Sequence, residues 1–465
     1  MTFGVLYLVA YFWTLIDLSV DMVIKNARLV SPRGITEAGV AVKDGKIAAV
    51  ARDIHLPKAE NVIDAKGNYV LPGLLDGHAH TFLPPETPAT GMKAAAKGGV
   101  TTMLEMPGTQ FGCFNADEFK LKRKTMEESS YVDFCIHAGC ASGYPGELTK
   151  MHKLGSTGAK FFISSAGPKW PQTFDGEILE RFKEIASYGG LALIHAENDS
   201  ILRDNLKRLR EAGRKDFGAH LEWRPRIAEV EAGKRMIDYL EATHCRGMIV
   251  HTAVPETVWY NAEAKMRGAE TYVETCTQYL YLTEDDVKKN GPWNKFAPPP
   301  RTKADKAEIR RLLQEGWIDT IATDHAPYSK DRKEAGLEDI FEAPNGMPGL
   351  ETYLPMLLNG VSEGWLTLER LSAVSAERPA QIYGIYPRKG VIAPGADADF
   401  VIVDLNIEKK ITNDDQITAC GWTPYDGVDV KGWPTMSIIR GEVVMQKDQV
   451  LAEQGSGLFI PRLDA

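Results

Sequence analysis

The sequence predicts an α/β protein in which a (β/α)₈ barrel is joined to a small β-sandwich domain built from both chain ends. Two observations carry this prediction. Through the middle of the chain, short apolar segments alternate with helical stretches, which is the pattern of a parallel sheet with crossover helices. Near each end, short segments of alternating polarity are separated by glycine turns, which is typical of antiparallel sheet. The 465 residues, 44% of them hydrophobic, suffice for both cores.

The N-terminal sheet region is predicted over residues 22–72. Within it, Asp44 and Gly45 separate two alternating segments and predict a hairpin turn. Short segments of alternating polarity separated by glycine turns occur again over residues 388–450. We expect these two regions to form one β-sandwich domain, and residues 451–465 to form a C-terminal tail.

Residues 1–21 are predicted to be an extension that precedes the sheet region. The stretch from Phe3 to Val20 is apolar, but no Lys or Arg precedes it and Asp17 lies inside it, so it makes a poor signal peptide. Because Met22 opens the first predicted strand, one hypothesis is that Met22 is the natural start. The alternative is a packed or membrane-associated segment.

The barrel is predicted over residues 73–387, where eight apolar segments are separated by helical sequence. The predicted strands end at Asp76, Glu105, His137, Phe162, His195, His251, Glu274 and Thr323. Eight parallel strands with crossover helices close into a barrel, and functional side chains gather at the carboxyl ends of its strands.

Composition limits the partners of the chain. The net charge is −9 and no Lys/Arg-rich segment occurs, so neither nucleic acid nor a membrane surface is an expected partner. Six cysteines are scattered along the chain without a Cys-x-x-Cys pair. This distribution is typical of a reduced protein, and we expect a cytoplasmic location.

Histidines and an aspartate follow four of the predicted strands. His78 and His80 come after the first strand, where alternate residues of an extended chain point the same way and can share a metal. Such a pair alone is weak evidence, because many histidines are structural. His195 and His251 follow the fifth and sixth strands, and Asp324 follows the eighth. Convergence of these residues on one rim predicts a metal site.

Lys160 lies among apolar residues on the fourth predicted strand. A buried ammonium there would be costly and would repel a nearby cation. If its amine has reacted with carbon dioxide, the resulting carbamate has two oxygens that can bridge two metal ions. The alternative is a lysine that reaches solvent or pairs with an acid. By contrast, we expect His325 to point away from Asp324 and to be structural, since adjacent residues of an extended chain face opposite sides.

Together these motifs resemble the cyclic amidohydrolases, which comprise hydantoinases, dihydropyrimidinases, allantoinases and dihydroorotases. The resemblance extends from Met22 nearly to the C-terminus. The segments most similar to the L-hydantoinase type are residues 291–293, 297–299, 345–352 and 424–427. The resemblance implies the TIM barrel of the amidohydrolase superfamily and a homotetramer.

The resemblance also implies two divalent metal ions. One would be held by His78, His80, Lys160 and Asp324, and the other by Lys160, His195 and His251, with Lys160 present as N6-carboxylysine. Imidazole, carboxylate and carbamate ligands suit zinc, manganese and cobalt alike, and zinc is the expected metal.

The substrate contacts are implied by the same resemblance, at Ser165, Ala297 and Asn345. Ser165 stands where dihydropyrimidinases and many D-type hydantoinases carry a tyrosine. Dihydroorotases usually carry an arginine two residues beyond the second histidine, whereas this chain has Phe82 there. This difference argues against dihydroorotate, and the motifs expected of allantoinases after the histidine pair are not visible either.

The expected reaction is metal-dependent hydrolysis of a cyclic amide, with a 5-substituted hydantoin opened to an N-carbamoyl amino acid. Two divalent ions would lower the pKa of a shared water. Asp324 would be the catalytic group that accepts the water's proton and returns it to the leaving ring nitrogen. The alternatives are an allantoinase, a dihydropyrimidinase or an imide hydrolase with the same centre, and a non-catalytic homologue, although all six ligand positions are present.

Overall fold

The computed structural model describes residues 19–108, 111–164 and 172–463. Seven strands form the N-terminal region: β1 (Val20–Lys25), β2 (Arg28–Ser31), β3 (Gly34–Glu37), β4 (Gly39–Lys43), β5 (Lys46–Ala51), β6 (Ala59–Asp64) and β7 (Tyr69–Pro72). Asp44 and Gly45 have positive φ angles in the tight turn between β4 and β5. β1 begins at Val20, ahead of Met22, and residues 1–18 of the predicted extension lie outside the described residues.

The barrel strands follow in chain order and are parallel. They are β8 (Leu74–Ala79), β9 (Val100–Glu105), β10 (Asp133–Ile136) with its short continuation β11 (Ala138–Gly139), β12 (Ala159–Phe162), β13 (Ala192–His195), β14 (Gly247–Ile249), β15 (Thr271–Cys276) and β16 (Thr320–Ala322). The ring closes after β16, where His80 N donates to the carbonyl oxygen of His325 at 2.8 Å. The predicted fold is confirmed.

Helices connect the strands and cover the outside of the barrel. Their bounds are α1 (Pro88–Lys97), α2 (Ala116–Glu127), α3 (Glu147–Lys153), α4 (Asp175–Ser187), α5 (Asp199–Glu211), α6 (Gly218–Trp223), α7 (Arg226–Thr243), α8 (Pro255–Met266), α9 (Thr277–Tyr281), α10 (Glu284–Asn290), α11 (Lys303–Glu315), α12 (Lys330–Glu334), α13 (Tyr353–Ser362), α14 (Leu368–Ser372) and α15 (Arg378–Ile382). Local sequence fixes their ends. For example, a capping box of Thr302 and Asp305 begins α11, and Gly316 with a φ of 96° ends it. Among the described residues, no helix is long and apolar enough to cross a membrane.

The C-terminal strands complete the β-sandwich. They are β17 (Phe400–Lys410), β18 (Asp429–Ile439), β19 (Glu442–Gln446) and β20 (Gln449–Val450). One sheet has the order β5-β4-β1-β6, and the other has the order β20-β19-β18-β17-β7-β2-β3. Because β17 pairs with β7, the two ends of the chain share a sheet. Buried residues such as Ile24, Val40 and Phe400 form the core between the sheets.

A buried ion cluster lies where the sandwich meets the amino end of the barrel. Lys389 Nζ is 2.5 Å from an oxygen of Asp133, the first residue of β10, and 2.6 Å from an oxygen of Asp399. Arg440 also pairs with Asp133. Although burial opposes it, the carboxylates of Asp399 and Asp133 raise the pKa of Lys389 above its usual range. Each of these buried charges therefore has an opposite charge beside it.

Candidate metal centre

Five barrel strands bring the predicted ligands together at the carboxyl end of the barrel. His78 lies in β8, His80 directly after it, Lys160 in β12, His195 at the end of β13, His251 two residues after β14 and Asp324 two residues after β16. All six line one pocket. Residues far apart in the sequence thus meet because parallel strands end at the same rim.

Two of these residues have an unusual backbone conformation. The φ angles of His251 and Asp324 are 42° and 49°, in the left-handed region that residues with a Cβ rarely adopt. Each follows a short buried strand, so the chain turns sharply where the side chain enters the pocket. Backbone strain of this kind is concentrated at functional sites, where the surrounding structure imposes it.

One group of ligands consists of His78, His80 and Asp324. The Oδ1 atom of Asp324 is 3.2 Å from His78 Nε2 and 3.6 Å from His80 Nε2. One ligand atom from each of the three residues lies within 4.8 Å of the others. Two imidazoles and a carboxylate at this spacing could hold a divalent metal ion.

A second group lies beside the first. His195 Nδ1 is 3.0 Å from His251 Nε2, and the rings of His78 and His251 are 5.4 Å apart. Lys160 is fully buried, and its Nζ is 3.3 Å from His78 Nε2. The two groups therefore form one continuous centre.

Three of the histidines are oriented through the ring nitrogen that faces away from the centre. The contacts are His78 Nδ1 with Glu274 Oε1 at 2.9 Å, His80 Nδ1 with the Pro107 carbonyl at 3.1 Å, and His195 Nε2 with Glu197 Oε2 at 2.9 Å. A carboxylate or carbonyl in this position fixes the tautomer and leaves the other nitrogen as a ligand. This arrangement fits histidines that bind metal.

Burial determines the charges of the centre. Burial lowers the pKa of His78 and of His251 well below the usual range, so both imidazoles are neutral. Burial also lowers the pKa of the Lys160 amine to about 8, against the opposing effects of Asp324 and Glu274. Neutral imidazoles are the form that binds metal. Neutral imidazole nitrogens grouped with a carboxylate are the donor set of a divalent metal site, and the residues therefore fit the predicted group.

The pocket wall is built by loops. Ala297 and Asn345 line it, and the Oδ1 atom of Asn345 is buried without a hydrogen-bond partner in the described part of the chain. Ser165, the third predicted substrate contact, lies outside the described residues. The wall also contains Leu83, Phe162, Arg224, Phe296 and Tyr328.

Sequence reasoning missed the acids that orient the histidines and most of the wall. Glu274 ends a predicted strand, as the histidines do, so its position was a usable signal. Glu197 is two residues from His195 and pairs with the buried Arg224. Leu83, Phe162, Arg224, Phe296 and Tyr328 lie outside the segments that resemble the L-hydantoinase type. His325 faces away from the pocket, since its Nδ1 accepts a hydrogen bond from Gly349 N at 3.1 Å.

Eight parallel strands form the barrel, and five of them carry the imidazole, amine and carboxylate groups of a candidate metal centre at their carboxyl ends. A model of the amidohydrolase family matches residues 69–444 of this chain. The chain belongs to the amidohydrolase family.

Individual relatives can be aligned with nearly the whole chain. An L-hydantoinase of Paenarthrobacter aurescens is 39% identical over 95% of this chain and 98% of its own length. An allantoinase of Solibacter usitatus is 32% identical over 95% of this chain and 97% of its own length. The solved L-hydantoinase (dihydropyrimidinase) of Arthrobacter aurescens has a TM-score of 0.93 and 38% identity, over 95% of this chain and 100% of that one. The predicted relationship to hydantoinases is confirmed.

Proposed function

We propose that this protein hydrolyses the amide bond of a 5-substituted hydantoin and releases an N-carbamoyl amino acid. The observation that carries this proposal is the convergence of the six predicted ligands in the pocket of a chain that matches an L-hydantoinase over 95% of its length. The amide must reach the bottom of the pocket, where the imidazoles and Asp324 lie. The loops above would contact the rest of the ring.

Two divalent metal ions are part of the proposal, with zinc as the expected metal and manganese or cobalt as alternatives. His78, His80, Lys160 and Asp324 would hold one ion, and Lys160, His195 and His251 the other. Bound divalent ions polarise a carbonyl and acidify water. The orientation of the histidine rings by Glu274 and Glu197 supports this ligand assignment.

Carboxylation of Lys160 is proposed because of where the side chain lies. A protonated amine 3.3 Å from His78 Nε2 would repel a cation held by that ring, whereas a carbamate would add oxygen ligands. The carbon-13 spectrum of protein equilibrated with labelled bicarbonate should contain a carbamate resonance, which Lys160→Ala should abolish together with bound metal and activity. Acetate should restore part of both, and the exposed Lys150→Ala should match wild type. An unmodified amine at full metal occupancy and activity would refute carboxylation.

Residues of the pocket are proposed to transfer the proton and to contact the substrate. Asp324 reaches into the pocket, where its carboxylate can take a proton from the attacking water and return it to the leaving ring nitrogen. The buried Oδ1 of Asn345, without a partner in the described residues, is an acceptor for a ring N–H group. Backbone groups at Ala297 lie in the same wall. Ser165 is proposed as a further contact.

A substrate panel tests the proposal. Zinc-loaded protein is offered 5-substituted hydantoins, dihydrouracil, allantoin and simple imides, and ring opening is followed for each. Fastest turnover of a hydantoin is expected. Fastest turnover of allantoin would favour an allantoinase, the second candidate, which is supported by the 32% identity to the allantoinase of Solibacter usitatus. No turnover, with metal content near zero after zinc loading, would indicate a non-catalytic homologue instead.

A homotetramer in the cytoplasm completes the proposal. The six cysteines are free and buried, which supports a reducing compartment. Similarity to hydantoinases supports assembly into four copies. Light scattering coupled to size-exclusion chromatography measures the assembly, and a monomer would exclude the tetramer.

A further inference from the structure

Two lysines are buried behind the pocket wall. Lys333 in α12 is 0% exposed and Lys295 is 1% exposed. Neither forms an ion pair with a carboxylate of the described residues, whereas Lys389 at the other end of the barrel has two carboxylates within 2.6 Å. Burying an amine without a counter-charge is costly, so its hydrogen bonds must offset the lost hydration.

The hydrogen bonds of Lys333 all go to backbone carbonyls. Its Nζ donates to the oxygens of Lys295 at 3.1 Å, Pro344 at 3.1 Å and Gly346 at 2.9 Å. Burial and the neighbouring Lys295 lower the pKa of Lys333 well below its usual range. The three carbonyls accept every hydrogen of the amine, whether it carries two or three. Lys295 acts similarly nearby, since its own Nζ donates to the carbonyls of Ile340, at 2.6 Å, and Ala343.

These carbonyls belong to two separate loops of the pocket wall. One loop continues from Lys295 into Phe296 and Ala297, and the other contains Asn345 and Gly346. Gly346 N also donates to the carbonyl oxygen of Lys295 at 3.0 Å. Lys333 thus donates hydrogen bonds to both loops on the side that faces away from the pocket. The accepting carbonyls are next to the residues that line the pocket, and Lys333 itself does not line it.

We propose that Lys333 is a positioning residue that fixes the spacing of the two wall loops and thereby sets the affinity for the cyclic substrate. The inference rests on the proposed function, because it takes the pocket as the place where the ring binds. Lys333 touches neither the ring nor the metal ligands in this arrangement. It acts on the backbone that presents Ala297 and Asn345, so it affects ground-state and transition-state binding equally.

The test compares Lys333→Met with Lys330→Met, an exposed lysine on the same helix. For a 5-substituted hydantoin, Lys333→Met should raise KM roughly tenfold and leave kcat within about threefold, since uniform binding is lost. Hydrogen exchange should accelerate in peptides that cover residues 294–298 and 343–347. Lys330→Met should match wild type in both measurements.

A merely structural lysine would give a different result. A lower Tm with unchanged KM and unchanged exchange in the two loops would overturn the inference, as would a loss confined to kcat. If Lys333→Met does not fold, Lys333→Gln, which keeps two donor hydrogens, is measured by the same criteria and should raise KM by a smaller factor. If wild-type protein opens no ring, the proposed function fails, and the exchange comparison alone decides the role of Lys333.

Discussion

The two ends of the barrel each bury a cluster of ionisable side chains, but the clusters are built differently. At the amino end, Lys389 lies between the carboxylates of Asp133 and Asp399, with contacts of 2.5 and 2.6 Å. At the carboxyl end, Lys160 faces His78 at 3.3 Å, and His195 faces His251 at 3.0 Å. Opposite charges satisfy one another in the first cluster. The second cluster consists mainly of imidazole nitrogens, with one amine and the carboxylate of Asp324 beside them.

This difference separates stability from function. The amino-end cluster is complete without a ligand, so its loss should weaken folding and leave chemistry intact. The carboxyl-end cluster groups neutral imidazoles with one amine and one carboxylate, which is a donor set that could hold metal ions. Its disruption should abolish activity and cost little stability. The predictions below test this division, and effects on rate and stability can be ranked together because a tenfold change in rate equals about 1.4 kcal/mol.

The largest effect is expected for His78→Ala and His195→Ala. Each removes a proposed metal ligand, so bound metal should fall at one or both positions and ring opening should drop by about 10⁴-fold or more. Elemental analysis and initial rates measure the two effects. The Tm of metal-free protein should stay within a few degrees of wild type. Turnover near the wild-type rate in either variant would contradict the binuclear centre.

Asp324→Asn should give the next largest effect. The amide keeps the size of the side chain but cannot carry the proton between water and the ring nitrogen, so kcat should fall by roughly 10³-fold while the fold is retained. Circular dichroism and steady-state kinetics provide the measurement. A variant that keeps more than about a tenth of the wild-type rate would require a different base.

Lys389→Met tests the opposite end. Removing this cation leaves Asp133 and Asp399 buried without their central partner, which should lower the free energy of unfolding by about 3–5 kcal/mol. Below the Tm, kcat/KM should match wild type. Lys43→Met is the matched control, because Lys43 and its partner Asp21 are 48% and 41% exposed and their pair should contribute less than about 1 kcal/mol. Loss of activity in folded Lys389→Met would break the proposed division between the two ends.

The sequence allowed prediction of those parts of the molecule whose signal is local. The strand that ends at His195 and the strand before Asp324 were predictable because a short apolar segment stops directly at a polar residue. The role of Lys333 was not predictable. It lies in the charged run of residues 330–334, which has the composition of a solvated helix face, and its burial depends on the loop that contains Gly346. Contacts of this kind arise from tertiary packing and leave no pattern in the sequence.

The smallest effect is expected for Glu197→Gln, which leaves every proposed metal ligand in place. Glu197 Oε2 accepts a hydrogen bond from His195 Nε2 at 2.9 Å, and the same oxygen pairs with Arg224 Nη1. A neutral amide would still contact the ring but would hold its tautomer less firmly and make the imidazole a weaker ligand. Such partners typically change metal affinity by about 10–100-fold.

Competition with a chelator measures that affinity, and at saturating zinc the kcat of Glu197→Gln should recover to within about threefold of wild type. The exposed Glu180→Gln serves as control, since its side chain is 69% exposed and should leave metal affinity unchanged. Unchanged affinity in Glu197→Gln would show that Arg224 and Glu197 form a structural ion pair like that of Lys389. At the carboxyl end of the barrel, only the proposed metal ligands would then serve function, and the Glu197–Arg224 pair would serve stability.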